Sequence, residues 1–267
     1  MIGFLGPKHS FTHQALMRYD ATANAKDYPS IRSLFVGLRM GEVDMIVVPI
    51  ENSTEGSVTT TMDSLVEEQV YIVGELYLPI QLQLYSNASS VEQITHVISH
   101  PQALAQSRQT LERLLGHYIE VPATSTAEAI QQLNQSPSTT AAIAGSSFAS
   151  TTNVIAQNIQ DRADNQTRFV LIGAKETPQP NATKTSVICA PQTDRPGLLY
   201  DLLHEFAIRK LNLTKIESRN DKTTKNLFLF YLDVEVNATD PLFIELVELL
   251  KFKQFYPRVI GSYTTFS

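Results

Sequence analysis

The stretch Lys175–Ala182 divides the chain into two segments with different patterns of strands and helices, and this division limits what the chain can fold into. It contains two prolines and no helical or strand periodicity, so residues 176–182 are predicted to form a linker. The length of 267 residues allows two domains of ordinary size. We therefore expect one domain over residues 1–175 and a second over residues 183–267.

Short apolar runs alternate with helical patterns in the first segment, which predicts an α/β sheet with crossover helices. The predicted strands are Ile2–Leu5, Met45–Val48, Tyr71–Val73, Gln81–Tyr85, His96–Ser99, Ala141–Ala144 and Phe169–Ile172. The predicted helices are Phe11–Tyr19, Ile31–Met40, Thr60–Glu67, Gln102–Leu115 and Thr126–Leu133. Their apolar residues recur at helical spacing, which is typical of core packing.

The second segment has the element order β-α-β-β-α-β, which predicts a ferredoxin-like plait. Its predicted elements are strand Thr183–Ala190, helix Gly197–Arg209, strand Leu213–Ser218, strand Leu227–Val236, helix Pro241–Lys251 and strand Arg258–Thr264. Apolar residues occupy every second position from Phe228 to Val236, which predicts a half-buried antiparallel strand.

The acidic charge of the chain is concentrated in the first segment. The net charge is −6 overall, −7 for residues 1–182 and +1 for residues 183–267. Without a basic run the chain lacks the electrostatic footprint of a nucleic-acid-binding protein, so we expect no nucleic-acid partner. An anion bound by the first segment must be held by a few local groups, because the overall field opposes it.

The single cysteine and the apolar runs indicate the compartment. Cys189 cannot form an internal disulfide, and its apolar neighbours favour a core thiol over a nucleophile. No apolar run reaches the roughly 18 residues that a membrane helix needs, so we expect no membrane partner. The N-terminal residues lack the charged start of a signal peptide. We therefore expect a cytoplasmic protein that begins at or near Met1.

Two polar segments that follow predicted strands are candidate binding loops, because strand ends are the usual place for a site in an α/β sheet. Gly6–Thr12 opens a helix that Ser10 or Thr12 can cap, either as an ordinary N-cap or as part of an anion site. Glu51–Val58 is polar or Gly at seven of eight positions. It fits contacts to an oxygen-rich ligand and a solvated turn equally well.

A third candidate is Asn165–Phe169, which enters a predicted strand, and its Arg168 is either a solvated side chain or a bidentate partner of a carboxylate. The sequence contains no Gly-x-Gly-x-x-Gly after a strand, no Walker loop and no Gly-x-Ser-x-Gly elbow. His9 and His13 are four residues apart without an accompanying carboxylate, so we expect no metal site there. Any chemistry must then run on side chains alone.

Six motifs, taken together and in order, resemble those of monofunctional prephenate dehydratases with a C-terminal ACT regulatory domain. They are Gly6–Thr12, Val48–Val58, Ser99–Gln106, Thr167–Phe169, Arg195–Leu199 and Ile216–Arg219. The resemblance covers essentially the whole chain. It implies a catalytic part over residues 1–175 that folds like a type II periplasmic binding protein, and an ACT domain over residues 183–267. One lobe would comprise about 1–75 and 160–175 and the other about 76–159, with the site in the cleft.

The activity implied by the resemblance converts prephenate to phenylpyruvate, with loss of carbon dioxide and water and no cofactor. Thr167 would donate a proton or a hydrogen bond to the leaving hydroxyl, and Arg168 would neutralise a substrate carboxylate. The other implied catalytic residues are Asn52, Glu51, Gln106 and Ser99, with Glu51 a candidate acid. The other implied substrate-binding residues are Phe169, Ser53, Thr54, Ser10, Thr124 and Ser125.

The resemblance also implies feedback inhibition by L-phenylalanine and a homodimer or homotetramer that forms partly through the ACT domains. The implied phenylalanine site comprises Pro196, Gly197, Leu198, Leu199, Asn212, Glu217, Ser218 and Arg219. Three positions depart from the family pattern. His9 stands where the family usually has Gly, Leu198 where it has Ala, and Asn220 where it has Pro. At His9 either the backbone avoids positive φ or a side chain intrudes.

Two other functions fit the same motifs. Arogenate, which has an amino group where prephenate has a keto group, is the alternative substrate, and a carboxylate in the cleft near that group would favour it. A non-catalytic sensor of small anions is the alternative from another class, and Thr167 and Arg168 beside Glu51 and Asn52 argue against it.

Overall fold

A computed structural model describes residues 1–177, 179–220 and 228–266, which form two compact units. The first unit comprises Met1–Val43, Val47–Thr61 and Tyr77–Phe169, and the second comprises Asp44–Ile46, Met62–Leu76 and Val170–Ser267. No helix within the described ranges is long and apolar enough to cross a membrane.

The helices are α1 (Phe11–Tyr19), α2 (Ile31–Arg39), α3 (Thr59–Glu67), α4 (Pro101–Leu115), α5 (Thr126–Leu133), α6 (Leu198–Ile208) and α7 (Pro241–Phe252). The strands before the linker are β1 (Ile2–Leu5), β2 (Ala25–Tyr28), β3 (Met45–Asn52), β4 (Gly56–Ser57), β5 (Tyr71–Pro79), β6 (Leu82–Ser86), β7 (His96–Ser99), β8 (Ile119–Pro122), β9 (Thr140–Gly145), β10 (Val154–Ala156) and β11 (Gln166–Gly173). The later strands are β12 (Lys184–Cys189), β13 (Leu213–Asn220), β14 (Phe228–Val234), β15 (Pro257–Tyr263) and β16 (Thr265–Phe266).

The first unit contains a five-stranded sheet in the order β10-β6-β9-β7-β8. Its central strand β9 is buried on both faces, which suits its continuous apolar sequence. Ala141 and Ile143 pack with α4 on one face, and Ala142 and Ala144 pack with α5 on the other. In the other sheet β1 lies between β3 and β2, and the short β4 pairs with the end of β3.

The second unit contains the predicted β-α-β-β-α-β order in β12, α6, β13, β14, α7 and β15. The strands lie in the order β13-β14-β12-β15 and every neighbouring pair is antiparallel, as in a ferredoxin-like plait. One face of this sheet packs on α6 and α7 through an apolar core that includes Cys189 and Leu232. The strand residues on the other face include the buried polar residues Ser186, Lys215 and Asp233.

The predicted helices agree with the structure to within one residue at each end. Five strands, β2, β4, β8, β10 and β16, were not predicted because each has only two to four residues, too few to establish a pattern. Four of them are edge strands, and β4 pairs only with the end of β3. The strand predicted as Leu227–Val236 runs from Phe228 to Val234, and Leu227 lies outside the described residues. The half-buried interpretation is wrong: Tyr231 and Asp233 are buried on the face opposite Leu232.

The segment predicted as a linker is tied to its surroundings where the structure describes it. Asn237 Nδ2 donates to the carbonyl oxygens of Gln179, Pro180 and Ala182 at 3.1–3.2 Å. Gln179 Nε2 donates to the carbonyl oxygen of Val73 at 2.5 Å. Pro178 lies outside the described residues. These bonds hold the junction in one conformation although its sequence has no periodicity.

The thiol of Cys189 is the basis of the first prediction. Burial raises the pKa of Cys189 to about 12, because an apolar core disfavours the thiolate. The native protein is therefore expected to resist a thiolate-selective disulfide reagent at about pH 8, where only the thiolate reacts. One thiol per chain should react once denaturant unfolds the protein. Rapid stoichiometric labelling of the native protein would contradict the buried position.

Candidate active site

A cavity of about 540 Å³ lies in the first unit, and five helices begin at its wall. The first turns of α1, α2, α3, α4 and α5 contribute Phe11, Ile31, Thr59, Gln102 and Thr126 respectively. The first N–H groups of a helix have no partner within the helix and carry the positive end of its dipole. A cavity surrounded by helix starts is therefore suited to bind anions.

The helix starts are fixed by side chains of the preceding residues. Ser10 Oγ accepts the N–H of His13, which confirms Ser10 as the cap of α1, while Thr12 lies inside the helix and is buried. The Ser125 hydroxyl caps α5, and the His100 ring caps α4 by accepting the N–H of Gln102 at 3.3 Å. Each cap uses one of the free N–H groups and leaves others for a ligand.

The charged side chains at the cavity are few. Among the described residues that line it, Glu55 and His100 are the ionisable ones, and no Lys or Arg is present. An anion in this cavity would therefore have to be held by backbone N–H groups and neutral side chains rather than by cationic ones.

Asn52 lies at the end of β3, in the tight hairpin that joins β3 to β4. Its Oδ1 accepts the N–H of Thr54 at 2.9 Å and the N–H of Glu55 at 3.2 Å. Gly56 closes the hairpin with φ of +82°, a conformation that a side chain would strain. The polar composition of Glu51–Val58 thus builds a rigid turn whose Asn52, Glu55 and Gly56 face the cavity.

A chain of side-chain hydrogen bonds runs from Asn52 across this part of the cavity wall. Asn52 Nδ2 donates to Thr167 Oγ1 at 2.9 Å and to Asn165 Oδ1 at 3.0 Å. Asn165 Nδ2 donates to Gln106 Oε1 at 3.0 Å, and Gln106 Nε2 donates to Glu55 Oε1 at 3.0 Å. The structure therefore brings together three of the residues expected to be catalytic: Thr167, Asn52 and Gln106.

Thr167 and Phe169 line the cavity, but Arg168 between them does not. Successive side chains of a strand point to opposite faces, so Arg168 in β11 is directed away from both neighbours. Its side chain is only 4% exposed, and its Nη1 lies 3.8 Å from Glu51 Oε2. The structure thus pairs Arg168 with Glu51 outside the cavity lining, where neither was expected.

The remaining expected site residues divide into two groups. Ser10, Thr124 and Ser125 line the cavity. Ser53, Thr54 and Ser99 do not: Ser53 Oγ donates to the carbonyl oxygen of Asp164, Thr54 Oγ1 lies 3.4 Å from Asn165 Oδ1, and the buried Ser99 donates to the carbonyl oxygen of Ile143. These three side chains stabilise the framework around the cavity. The Thr124 hydroxyl donates to the Glu128 carboxylate, and together with the Thr124 N–H it lowers the pKa of Glu128.

His9 adopts φ of +69°, which excludes the first of the two alternatives, that the backbone avoids positive φ at this position. Its ring centroid lies 5.1 Å from that of Phe148, and its carbonyl oxygen accepts the Ser147 hydroxyl at 3.0 Å. The side chain is not among the residues that line the cavity. Packing on Phe148 accompanies a backbone conformation that usually favours glycine.

A second, smaller pocket of about 320 Å³ lies in the second unit, at the start of α6. Four residues of the expected phenylalanine site line it: Gly197, Leu198, Leu199 and Ser218. The other four, Pro196, Asn212, Glu217 and Arg219, do not. Asn212 Nδ2 donates instead to Glu235 at 2.6 Å.

Arg219 makes a different contact from the one expected of it. Its Nε and Nη2 donate to Asp63 Oδ1 of α3 at 3.1 and 2.7 Å, and its Nη1 lies 3.5 Å from Glu217 Oε1. Arg219 directly follows Ser218 on β13 and therefore lies on the opposite face of the sheet from the pocket.

Two residues of the network were not assigned by sequence reasoning. Glu55 lies inside the Val48–Val58 motif without a role of its own, and Asn165 precedes the Thr167–Phe169 motif by two positions. Asn165 lies in the candidate segment Asn165–Phe169, but its contact with Gln106 is recognisable only from the fold because the two residues are 59 positions apart.

Comparison with known proteins agrees with this geometry. The prephenate dehydratase family model matches residues 2–177. A bifunctional chorismate mutase/prephenate dehydratase of Aquifex aeolicus is 36% identical over 98% of this chain and 73% of its own length. A prephenate dehydratase of Lactococcus lactis subsp. cremoris is 35% identical over 100% of this chain and 98% of its own.

The solved structures agree as well. The crystal structure of a prephenate dehydratase of Arthrobacter aurescens in complex with L-Phe has a TM-score of 0.91 and 32% identity, and the match covers 98% of this chain and 89% of that one. The chain thus belongs to a class of α/β proteins with a cavity lined by helix starts in the first unit and a β-α-β-β-α-β plait in the second. Within that class, it belongs to the prephenate dehydratase family.

Proposed function

We propose that the chain converts prephenate to phenylpyruvate and that residues 1–175 form the catalytic domain. The observation that carries this proposal is the Thr167 hydroxyl, which lines the cavity and accepts a hydrogen bond from Asn52 Nδ2 at 2.9 Å. Because its oxygen already accepts that bond, its proton is available for a substrate oxygen. The match of the family model to residues 2–177 supports the same range.

The cavity suits the two carboxylates of prephenate. Backbone N–H groups at the starts of α1, α3, α4 and α5 offer several donors on different sides of about 540 Å³. We therefore assign carboxylate binding to these helix starts and the Ser10, Thr124 and Ser125 segments. Arg168 lies outside the cavity lining, where it pairs with Glu51, and we propose that its positive charge favours a bound carboxylate without direct contact.

The reaction breaks the bond between the ring and one carboxylate, and its electron pair enters the ring. The carboxylate leaves as carbon dioxide, and the ring expels its hydroxyl group, which takes up one proton supplied by solvent and leaves as water. Thr167 lowers the barrier by donating a hydrogen bond to the departing oxygen. A threonine hydroxyl is a very weak acid, so the proton is shared in the transition state rather than fully transferred. The hydrogen bond from Asn52 polarises the hydroxyl and strengthens this donation.

The finer architecture is also part of this proposal. Residues 1–75 and 160–175 would form one lobe of a type II periplasmic-binding-protein-like fold and residues 76–159 the other, with residues 183–267 as an ACT domain. Support comes from the five-stranded sheet, whose strands all fall within the second range, and from the plait topology of β12–β15. We propose a cytoplasmic homodimer or homotetramer that associates partly through the ACT domains.

The second pocket is proposed to bind L-phenylalanine as a feedback inhibitor. Its lining combines the start of α6 with Leu198, Leu199 and Phe230, which suits a carboxylate beside an aromatic ring. The relative from Arthrobacter aurescens was solved in complex with L-Phe. Inhibition would favour a more closed state, with coupling of order 1–3 kcal/mol.

Arogenate is a second candidate substrate because a carboxylate lines the cavity. Glu55 would face the amino group that distinguishes arogenate from prephenate. Assays with prephenate and arogenate in parallel separate the two candidates through the ratio of kcat/KM. Turnover of neither compound would favour the non-catalytic anion sensor.

The catalytic assignment predicts the effect of removing one hydroxyl. Thr167→Val keeps the shape of the side chain and should lower kcat at least about 100-fold, as loss of a general-acid contribution does. Thr167→Ser keeps the hydroxyl and should stay within about tenfold of the parent. The measurement is phenylpyruvate absorbance, with circular dichroism to verify folding. Near-normal turnover by a folded Thr167→Val variant would refute the role of Thr167.

The regulatory assignment predicts a coupling role for Arg219 and Asp63. Ser218 lines the second pocket, Arg219 beside it holds Asp63 of α3, and α3 begins at Thr59 in the cavity wall. Asp63→Asn should raise the phenylalanine concentration for half inhibition at least about fivefold, since typical coupling spans 5–150-fold. The uninhibited rate should change little.

Glu67→Gln, which removes the same charge further along α3, is the matched control for Asp63→Asn. Its inhibition curve should superimpose on that of the parent. If phenylalanine inhibits the Asp63→Asn and Glu67→Gln variants at the same concentration, the Arg219–Asp63 contact is not the link. If millimolar phenylalanine changes neither the activity nor the melting temperature of the parent, the regulatory proposal itself is wrong.

A further inference from the structure

The directions of the hydrogen bonds beside Thr167 are fixed by the backbone. The N–H groups of Thr54 and Glu55 both donate to one atom of the Asn52 amide, which must therefore be the acceptor Oδ1. Asn52 Nδ2 then lies on the other side, where it donates to Thr167 Oγ1 and Asn165 Oδ1. The orientation of the Asn52 amide is thus determined by groups that can only donate.

The directions of the hydrogen bonds from Asn165 to Gln106 and Glu55 follow in the same way. Because Asn165 Oδ1 accepts from Asn52, the remaining amide group of Asn165 is a donor, and it lies 3.0 Å from Gln106 Oε1. Gln106 must then present its own donor, Nε2, to the carboxylate of Glu55. One side chain therefore connects the orientations of two amides that both line the cavity.

We propose that Asn165 is a positioning residue for the reaction: it passes the fixed orientation of the Asn52 amide on to the Gln106 amide, and its Oδ1 helps to hold the Asn52 Nδ2 that donates to Thr167. The proposal rests on the proposed prephenate dehydratase activity. Asn165 itself is buried, 3% exposed, and is not part of the cavity lining, so it acts through its neighbours. Its carbonyl oxygen accepts the N–H of Ile80 at 2.9 Å, which holds the backbone in place.

Only an amide meets both demands at this position. Asparagine accepts from Asn52 and donates to Gln106 with one planar group, whereas an ionised aspartate of the same shape can only accept. An ionised aspartate at position 165 would place an acceptor oxygen next to Gln106 Oε1, which is itself an acceptor, and the two would repel each other. The Gln106 amide would then have to turn, which would bring its oxygen toward the Glu55 carboxylate.

The test is Asn165→Asp, measured over a range of pH with prephenate. We expect kcat at neutral pH to fall at least about tenfold while KM changes less than about threefold, because the substrate does not touch residue 165. Relative to the parent, kcat of this variant should rise as pH falls, since a protonated carboxyl group regains the donor to Gln106. Asn165→Ala lacks any donor and should show the loss without the acid-side recovery.

Asp164→Asn is the matched control, because it changes the neighbouring residue by one charge and its side chain is 72% exposed. Its kcat and pH profile should equal those of the parent. If Asn165→Asp does not fold by circular dichroism, Asn165→Ser is used, and its kcat should fall with an unchanged pH profile. Parent-like kcat in a folded Asp or Ser variant, or a loss in Asn165→Asp without acid-side recovery, would overturn the role of Asn165. Absence of turnover in the parent enzyme would instead refute the proposed function.

Discussion

The convergence of five helix starts on one cavity is the feature on which the rest of the first unit depends. It explains how a segment with a net charge of −7 over residues 1–182 can bind an anionic substrate. Positive potential comes from oriented backbone N–H groups, which keep their direction because caps such as Ser10 and Ser125 fix the helix starts. The two sheets serve mainly to bring these helix ends to one place.

The second requirement is that the donors at the cavity point the right way. Asn52 acquires its orientation from a hairpin of five residues, and the network extends it to Gln106 and Thr167. A buried amide in such a network destabilises the fold if one partner is missing, because the unpaired group has lost its hydrogen bonds to water and gains none in the protein. This free-energy penalty favours one set of side-chain orientations in the cavity wall, so the wall has that arrangement before a substrate binds.

The sequence predicted the helices, the plait and the Ser10 cap because these depend on local periodicity and capping residues. Arg168, expected to contact a substrate carboxylate, lies on the opposite face of β11 from Thr167, which strand alternation alone could have shown. Arg168 was prominent in the sequence because cations are scarce in residues 1–182. In the fold, the described lining of the cavity contains no Lys or Arg, and five helix starts come together there instead. The hydrogen-bond partners of Asn165 could not be predicted because they are 59 and 113 positions away in the chain.

The caps and backbone donors of the cavity have a consequence for how the enzyme responds to its surroundings. Peptide N–H groups have no protonation equilibrium in the range where enzymes work, unlike lysine or histidine ligands. Contacts that these peptide groups make to a substrate therefore do not depend on their own protonation. Their partial charges also act over a short range, so they attract few foreign polyanions. The main chain thus gives the cavity donors whose charge is fixed by covalent structure, beside the ionisable side chains Glu55 and His100.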